Sequence, residues 1–149
     1  MASVKGGNIT NIDATPITKV SSEEAGGKLR VWHDTYEASS LASGSDITMA
    51  RLPAGSTVHN VVLKADALGG SSTLIVGDSS DDNRFIDAVG TWNVAGQSQS
   101  MWAGSSTGAP VPAVTGLGYR YTSETDIVIT TGGASISGTI FLWVVYSVE

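Results

Sequence analysis

Short runs of β-favouring residues, each closed by residues that favour turns, restrict the fold of this sequence more than any other feature. Glycine, proline and threonine at residues 53–55 and 131–133 separate such runs, and these residue types favour tight turns. Residues 126–130 place isoleucine at every second position, which is the period of a strand buried on one face. Strands are predicted over residues 29–38, 46–52, 57–65, 73–77, 84–89, 98–103, 118–122, 126–130 and 138–148.

These runs predict an all-β domain. No window carries apolar residues at helical spacing with caps at both ends, and no unit of about 20 to 50 residues repeats, which excludes solenoids and propellers. Only 15% of the 149 residues are charged, against roughly 25% in an average soluble domain. An antiparallel β-sandwich of jelly-roll type, with about eight strands, is the natural closure for so many short strands. We expect this sandwich over residues 29–149.

The first 28 residues differ from the rest because their apolar side chains are sparse and lie among glycine, asparagine, threonine and serine. We interpret residues 1–28 as an extended N-terminal arm that is ordered only where it lies against another surface, since termini are usually loose unless tied down. A first edge strand is the alternative interpretation. The apolar residues through which the arm would make contact include Val4, Ile9, Ile12 and Ile17.

The final run, residues 138–148, is apolar almost without interruption. It predicts a strand covered on both faces, by the sandwich core on one side and by a neighbouring subunit on the other. The run is far shorter than the roughly 20 apolar residues that span a bilayer, and the first residues lack the apolar run of a secretory signal. We therefore expect no membrane partner, and synthesis in a cytoplasm without export by a cleaved signal.

The charge balance argues against nucleic acid as a partner. The net charge is −6 at pH 7, and the eight lysines and arginines are scattered along the chain. Proteins that bind nucleic acid need clustered basic residues to contact phosphates. There is no cysteine, so the sequence also lacks disulfides and thiolate metal ligands.

Residues 90–112 mix aromatic and apolar side chains with glycine, serine and glutamine. Apart from the short strand predicted within it, we interpret this segment as a long aromatic-bearing loop, and loops of that length are often contact surfaces. The alternative is that its tryptophans cap one end of the sandwich core. The residues in question are Trp92, Met101 and Trp102.

No motif in the sequence specifies catalysis. Residues 104–108 match the G-x-S-x-G pattern of a nucleophile elbow, but that mechanism needs a strand before the serine and a helix after it. Here a loop rich in glycine, serine and proline follows, and the two histidines, His33 and His59, both lie in predicted strands upstream. We expect neither a catalytic site nor a cofactor.

Residues 77–83 form the densest acidic segment. Asp78, Ser80 and Asp82 occupy the first, third and fifth places of a calcium loop, but Asn83 and Val89 stand where an EF-hand needs glycine and glutamate. An EF-hand is therefore excluded, and two interpretations remain. One is a looser calcium site, and the other is a hairpin turn in which Asp81 or Asp82 pairs with Arg84.

Three stretches together resemble a known family. They are residues 51–58, residues 61–78 with their closing Val-Gly-Asp, and the Gly-Thr-aliphatic-aromatic strand of residues 138–146. In this pattern the chain resembles the small head decoration, or cement, proteins of tailed bacteriophages. The resemblance extends over roughly residues 29–148 and depends on no single specific motif.

The resemblance implies a jelly-roll-like, non-enzymatic domain that assembles as a homodimer or homotrimer on the capsid exterior of a virion. There it would clamp neighbouring major capsid protein subunits, with the arm spreading the contact. A phage tail or fibre protein, or a carbohydrate- or receptor-binding module that uses the aromatic residues, is the alternative. The residues that we expect to contact the capsid or another subunit, from the arm and from the aromatic loop, are Val4, Ile9, Ile12, Ile17, Trp92, Met101 and Trp102.

Overall fold

The computed structural model describes residue 11 and residues 13–19, 28–88, 92–102 and 116–149. Within this part of the chain there are nine strands. None of its helices has the length and apolarity needed to cross a membrane. The strands are β1 (Arg30–Leu41), β2 (Asp46–Leu52), β3 (Ser56–Ala65), β4 (Thr73–Asp78), β5 (Asp81–Ile86), β6 (Gln97–Ser100), β7 (Tyr119–Arg120), β8 (Thr125–Gly132) and β9 (Ile136–Val148).

The strands form two antiparallel sheets. The first sheet has the order β1-β9-β3-β6, with β7 also paired to β3, and the second has the order β2-β8-β4-β5. Consecutive strands often belong to different sheets, and each sheet joins strands from both ends of the chain, as in a double Greek-key jelly roll. The prediction of an all-β antiparallel sandwich is therefore confirmed.

The core lies between the two sheets and is built by alternation along their central strands. Ile140 and Val144 of β9 face Ile127 and Ile129 of β8, and all four side chains are fully buried. Side chains of this kind each stabilise the fold by about 1.5–3 kcal/mol when they leave water. Because a strand points successive side chains to opposite faces, this burial also determines which residues of β9 point outward.

Every strand begins and ends within three residues of the bounds that the sequence predicts. The strand that begins earliest relative to its prediction is β5. This strand begins at Asp81, three residues before the predicted start. The reason is the side chain of Asp78, which accepts hydrogen bonds from the backbone nitrogens of Ser80 and Asp81 at 2.9 and 3.1 Å. These bonds close the β4–β5 hairpin tightly, so pairing resumes at once.

An indole group links the two sheets where their edge strands β1 and β2 meet. The Nε1 of Trp32 on β1 donates a 3.0 Å hydrogen bond to the carbonyl oxygen of Met49 on β2. Trp32 points toward the sandwich interior in register with Val144. Its ring therefore lies at the open side of the core, and 38% of the surface of Trp32 remains exposed.

The described residues of the N-terminal segment form a turn. The backbone nitrogens of Ala14 and Thr18 both donate to the carbonyl oxygen of Asn11, at 3.3 and 3.0 Å. The side chains of residues 15–19 are exposed. The extended arm and its boundary at residue 28 stay predictions, because most of residues 1–27 lie outside the described part of the chain.

Candidate functional site

The outward face of β9 is apolar, although nothing in the described structure covers it. Ile140, Leu142 and Val144 point into the core, so the residues between them point away from it. Phe141 and Val145 are half-buried on this outward side, and Trp143 keeps 36% of its surface exposed. The continuous apolar run therefore supplies two different surfaces, one inside the sandwich and one on its outside.

Neighbouring strands extend this surface. Trp143 is in register with His33 of β1 on one side and with Val62 of β3 on the other, and Val145 is in register with Val31. Residues in register share a face of the sheet. We call the resulting surface the aromatic face, and it consists of Val31, His33, Val62, Phe141, Trp143 and Val145.

Three rings form a stacked row across the middle of the aromatic face. The ring centroids of Phe141 and Trp143 are 6.1 Å apart with an angle of 17° between their planes. Those of His33 and Trp143 are 6.3 Å apart at 29°. Val31, which lies on β1 beside these rings, is 57% exposed. Contiguous apolar surface of this kind is typical of interaction sites in soluble proteins.

The aromatic face carries almost no ionised side chains. Among the outward-pointing residues paired across β1, β9, β3 and β6, Lys64 supplies the single ammonium and Glu37 the single carboxylate. The outside of the second sheet is different, because Asp46, Asp126 and Arg51 all lie there. Arg51 Nε donates to Asp126 Oδ1 at 2.7 Å, and this bond is the main reason that the pKa of Asp126 lies below its usual value.

Trp102 borders the aromatic face at its β6 side. Its Nε1 donates a 2.8 Å hydrogen bond to the carbonyl oxygen of His59, and its backbone nitrogen donates to the hydroxyl of Ser100. Ser100 is in register with Val62. Trp102 is held in place by these bonds while 63% of its surface remains in solvent.

The structure separates the residues that the sequence analysis expected to make contacts. Trp92 has no exposed surface and Met101 is buried, so both pack into the core, whereas Trp102 and Ile17 are exposed. The burial of Trp92 agrees with the interpretation that a tryptophan caps the core, and the exposure of Trp102 leaves its ring available for a contact. Val4, Ile9 and Ile12 lie outside the described residues, and the contact role of the whole set stays a prediction.

The acidic segment of residues 77–83 lies in the β4–β5 hairpin, which we call the acidic hairpin. It holds a buried ion pair between Asp78 and Arg84. Asp78 accepts a 2.6 Å bond from Arg84 Nε, a 2.6 Å bond from the hydroxyl of Tyr121 and a 2.6 Å bond from the hydroxyl of Ser80. The guanidinium of Arg84 also lies 3.9 Å from the centroid of the Tyr119 ring. The pairing predicted for Asp81 is also present, since its Oδ2 lies 3.7 Å from Arg84 Nη1.

This network argues against calcium binding by Asp78. Both carboxylate oxygens already accept hydrogen bonds from protein donors, and a guanidinium occupies the place beside them where a cation would bind. Burial alone raises the pKa of Asp78, but the bonds from Arg84, Ser80 and Tyr121 together lower it well below its usual value. Among the described residues, no three His, Asp or Glu side chains are grouped as metal ligands.

The two histidines have different surroundings. His33 stacks on Trp143, and His59 Nε2 lies 2.8 Å from the hydroxyl of Ser147 on β9. The G-x-S-x-G segment, residues 104–108, lies outside the described residues. The sequence gives no sign of the position of His33 in the aromatic face, because that position depends on the β1–β9 register.

Comparisons with known proteins identify the fold. No protein-family model matches the chain, and no curated protein matches it. Solved structures do match. A chain in the capsid asymmetric unit of cyanophage Pam1 is similar over 83% of this chain and 86% of that one, with 23% identity and a TM-score of 0.64.

Two further capsids contain similar chains. The capsid of Ralstonia phage GP4 matches over 83% of this chain and 86% of its own, with 18% identity and a TM-score of 0.61. The acid-stable capsid of Helicobacter pylori bacteriophage KHP30 matches over 80% and 87%, with 16% identity and a TM-score of 0.57. This chain therefore has a jelly-roll fold that also occurs in chains of phage capsids.

Proposed function

We propose that this chain is a non-enzymatic structural protein of a tailed-phage virion, which decorates the capsid exterior and stabilises it by bridging major capsid protein subunits. The observation that carries the proposal is the shared jelly roll, which extends over 83% of this chain in the Pam1 capsid comparison. Matches to the GP4 and KHP30 capsids support it in the same way.

The surface of the molecule also supports a structural role. The aromatic face and Trp102 offer apolar contact area, while the carboxylate of Asp78 is bonded to Arg84 within its own hairpin. Apolar area that is buried between proteins contributes roughly 25 cal/mol per Å² before ordering costs. A surface of this composition suits adhesion to another protein better than it suits chemistry.

Analysis of separated heads and tails tests the location. Particles of the phage that encodes the chain are purified, their heads and tails are separated, and both fractions are examined by mass spectrometry. We expect the chain in the head fraction, at a constant ratio to the major capsid protein, and removable without loss of the shell. Presence in the tail fraction alone would contradict the proposal and favour the tail or fibre alternative.

Deletion of the arm tests how the chain is held. A variant that lacks residues 1–20 retains all nine strands, so we expect it to fold, as circular dichroism can verify. We expect that this variant no longer stays on its shell when it is mixed with heads stripped of the native protein. Retention equal to that of the full chain shows that the arm does not spread the contact.

A further inference from the structure

The aromatic face is large enough to form the centre of a subunit interface. Its three long strands, β1, β9 and β3, contain 12, 13 and 10 residues. Both β1 and β3 pair with β9 over residues 140–146, and at about 3.3 Å per residue and 4.8 Å between strands this shared stretch covers a footprint of roughly 330 Å². Side-chain relief and β6 raise the accessible area further, toward the roughly 800 Å² that each partner contributes to a standard interface.

The charge distribution favours another copy of the same chain as the occupant. The molecule carries a net charge of −6, so two copies repel each other over most of their surfaces. At the rim of the aromatic face the charges of Lys64 and Glu37 balance, which removes this repulsion there. One charge of each sign also allows Lys64 of one copy to pair with Glu37 of the next.

We infer that the aromatic face is the contact surface between copies of this chain, with the stacked rings of Phe141, Trp143 and His33 at its centre. Exclusion of water from apolar rings at the middle of an interface, with charged residues at the rim, is the arrangement that stabilises protein association. The inference deepens the proposed function, because an assembled unit of several copies can reach more than one capsid subunit.

Sedimentation velocity of the full chain tests the inference, with two matched variants. Trp143→Lys places a charge at the centre of the aromatic face, and Val128→Lys places the same charge outward on the central strand β8 of the second sheet. We expect the wild-type chain and Val128→Lys to sediment as the same discrete oligomer, and Trp143→Lys to sediment as a folded monomer. A wild-type chain that is monomeric throughout a wide dilution series overturns the inference. An unchanged oligomer in the folded Trp143→Lys variant also overturns it.

A second measurement does not require that the lysine variants remain folded. Because the chain has no cysteine, single thiols can be placed at Thr35, outward on β1, and at Thr48, outward on β2. Both threonines are exposed edge-strand residues, so their intrinsic thiol reactivities are comparable. We expect Thr35→Cys to react with a maleimide about tenfold more slowly than Thr48→Cys, since labelling requires dissociation.

The failure of this inference and the failure of the proposed function are distinguishable. Equal labelling of the two thiols overturns the inference, whether or not the chain is found on phage heads. If the chain is monomeric and Thr35→Cys becomes reactive only after deletion of residues 1–28, the chain's own N-terminal segment is the occupant, and the inference is wrong. Absence from the head fraction contradicts the proposed function but leaves the oligomer measurement unaffected.

Discussion

The hydroxyl of Tyr121 donates a 2.6 Å hydrogen bond to Oδ2 of Asp78, which lies 43 residues earlier in the sequence. Both side chains are buried. The bond connects the β4–β5 hairpin, in the second sheet, to the residue that follows β7, in the first sheet. Because Arg84 binds the same carboxylate oxygen at 2.6 Å, two side chains of the hairpin and one from a distant position hold this end of the sandwich closed.

Removal of the tyrosine hydroxyl should weaken the fold measurably. In Tyr121→Phe the ring remains, but a buried carboxylate oxygen loses one donor, so we expect a loss of about 1–3 kcal/mol in the free energy of unfolding. Urea denaturation measures this loss. Tyr119→Phe is the matched control, because it keeps the ring that contacts Arg84, and we expect it to change stability by less than about 0.5 kcal/mol. Equal effects in the two variants would contradict the role of the hydroxyl.

The pKa of Asp78 predicts how stability depends on pH. This pKa is lower in the folded chain than in the unfolded chain, so the stabilisation that it provides is complete above the ordinary aspartate pKa of about 4. It is lost progressively as the pH falls below that value, because the folded state then binds fewer protons than the unfolded state.

In Asp78→Asn the contribution of this group to the pH dependence disappears. At pH 7 we expect this variant to be about 3–5 kcal/mol less stable than the wild type, because Arg84 is left buried without its counter-charge. Denaturation curves at neutral and acid pH should therefore approach each other for the two proteins as the pH falls. A stability difference that stays constant down to the acid limit contradicts the assignment.

Two glycines separate the cost of backbone conformation from the cost of crowding. Gly133 and Gly44 both have left-handed backbone angles, with φ of 76° and 80°. A Cβ atom at Gly44 meets no neighbour, whereas one at Gly133 overlaps the carbonyl oxygen of Ser71. We expect Gly44→Ala to cost about 1–2 kcal/mol through strain alone and Gly133→Ala to cost clearly more. Thermal unfolding of the two variants makes the comparison, and similar losses would mean that the loop around Ser71 yields to the added methyl group.

The two tryptophans of the 90–112 segment should respond differently to truncation. Trp92 is fully buried in the core, so Trp92→Ala leaves a cavity and should cost about 3–5 kcal/mol. Trp102 is mostly exposed and keeps a single indole hydrogen bond, so Trp102→Ala should cost less than about 1 kcal/mol. Chemical denaturation distinguishes the variants. A large loss of stability in Trp102→Ala would show that this ring supports the fold instead of a contact.

The aromatic face shows where prediction from the sequence stopped. The apolar run of β9 is recognisable in the sequence, and it predicts cover on both faces, because a strand has only two faces and almost all residues of the run are apolar. His33 and Val31 gave no comparable signal, since they lie in a mixed strand whose outward side became apolar only through pairing with Trp143 and Val145. Register between strands about a hundred residues apart is not a local property.

The amino-acid sequence by itself determined the number, order and approximate bounds of the strands, because alternation and turn chemistry act over a few residues. It also determined the acidic charge and the absence of thiols. Tertiary structure alone decided that Trp92 is buried while Trp102 is exposed, and that the hydroxyl of Tyr121 joins Arg84 at the carboxylate of Asp78. These outcomes depend on which distant strands become neighbours, and that pairing is selected by burial of the whole core instead of by any one segment.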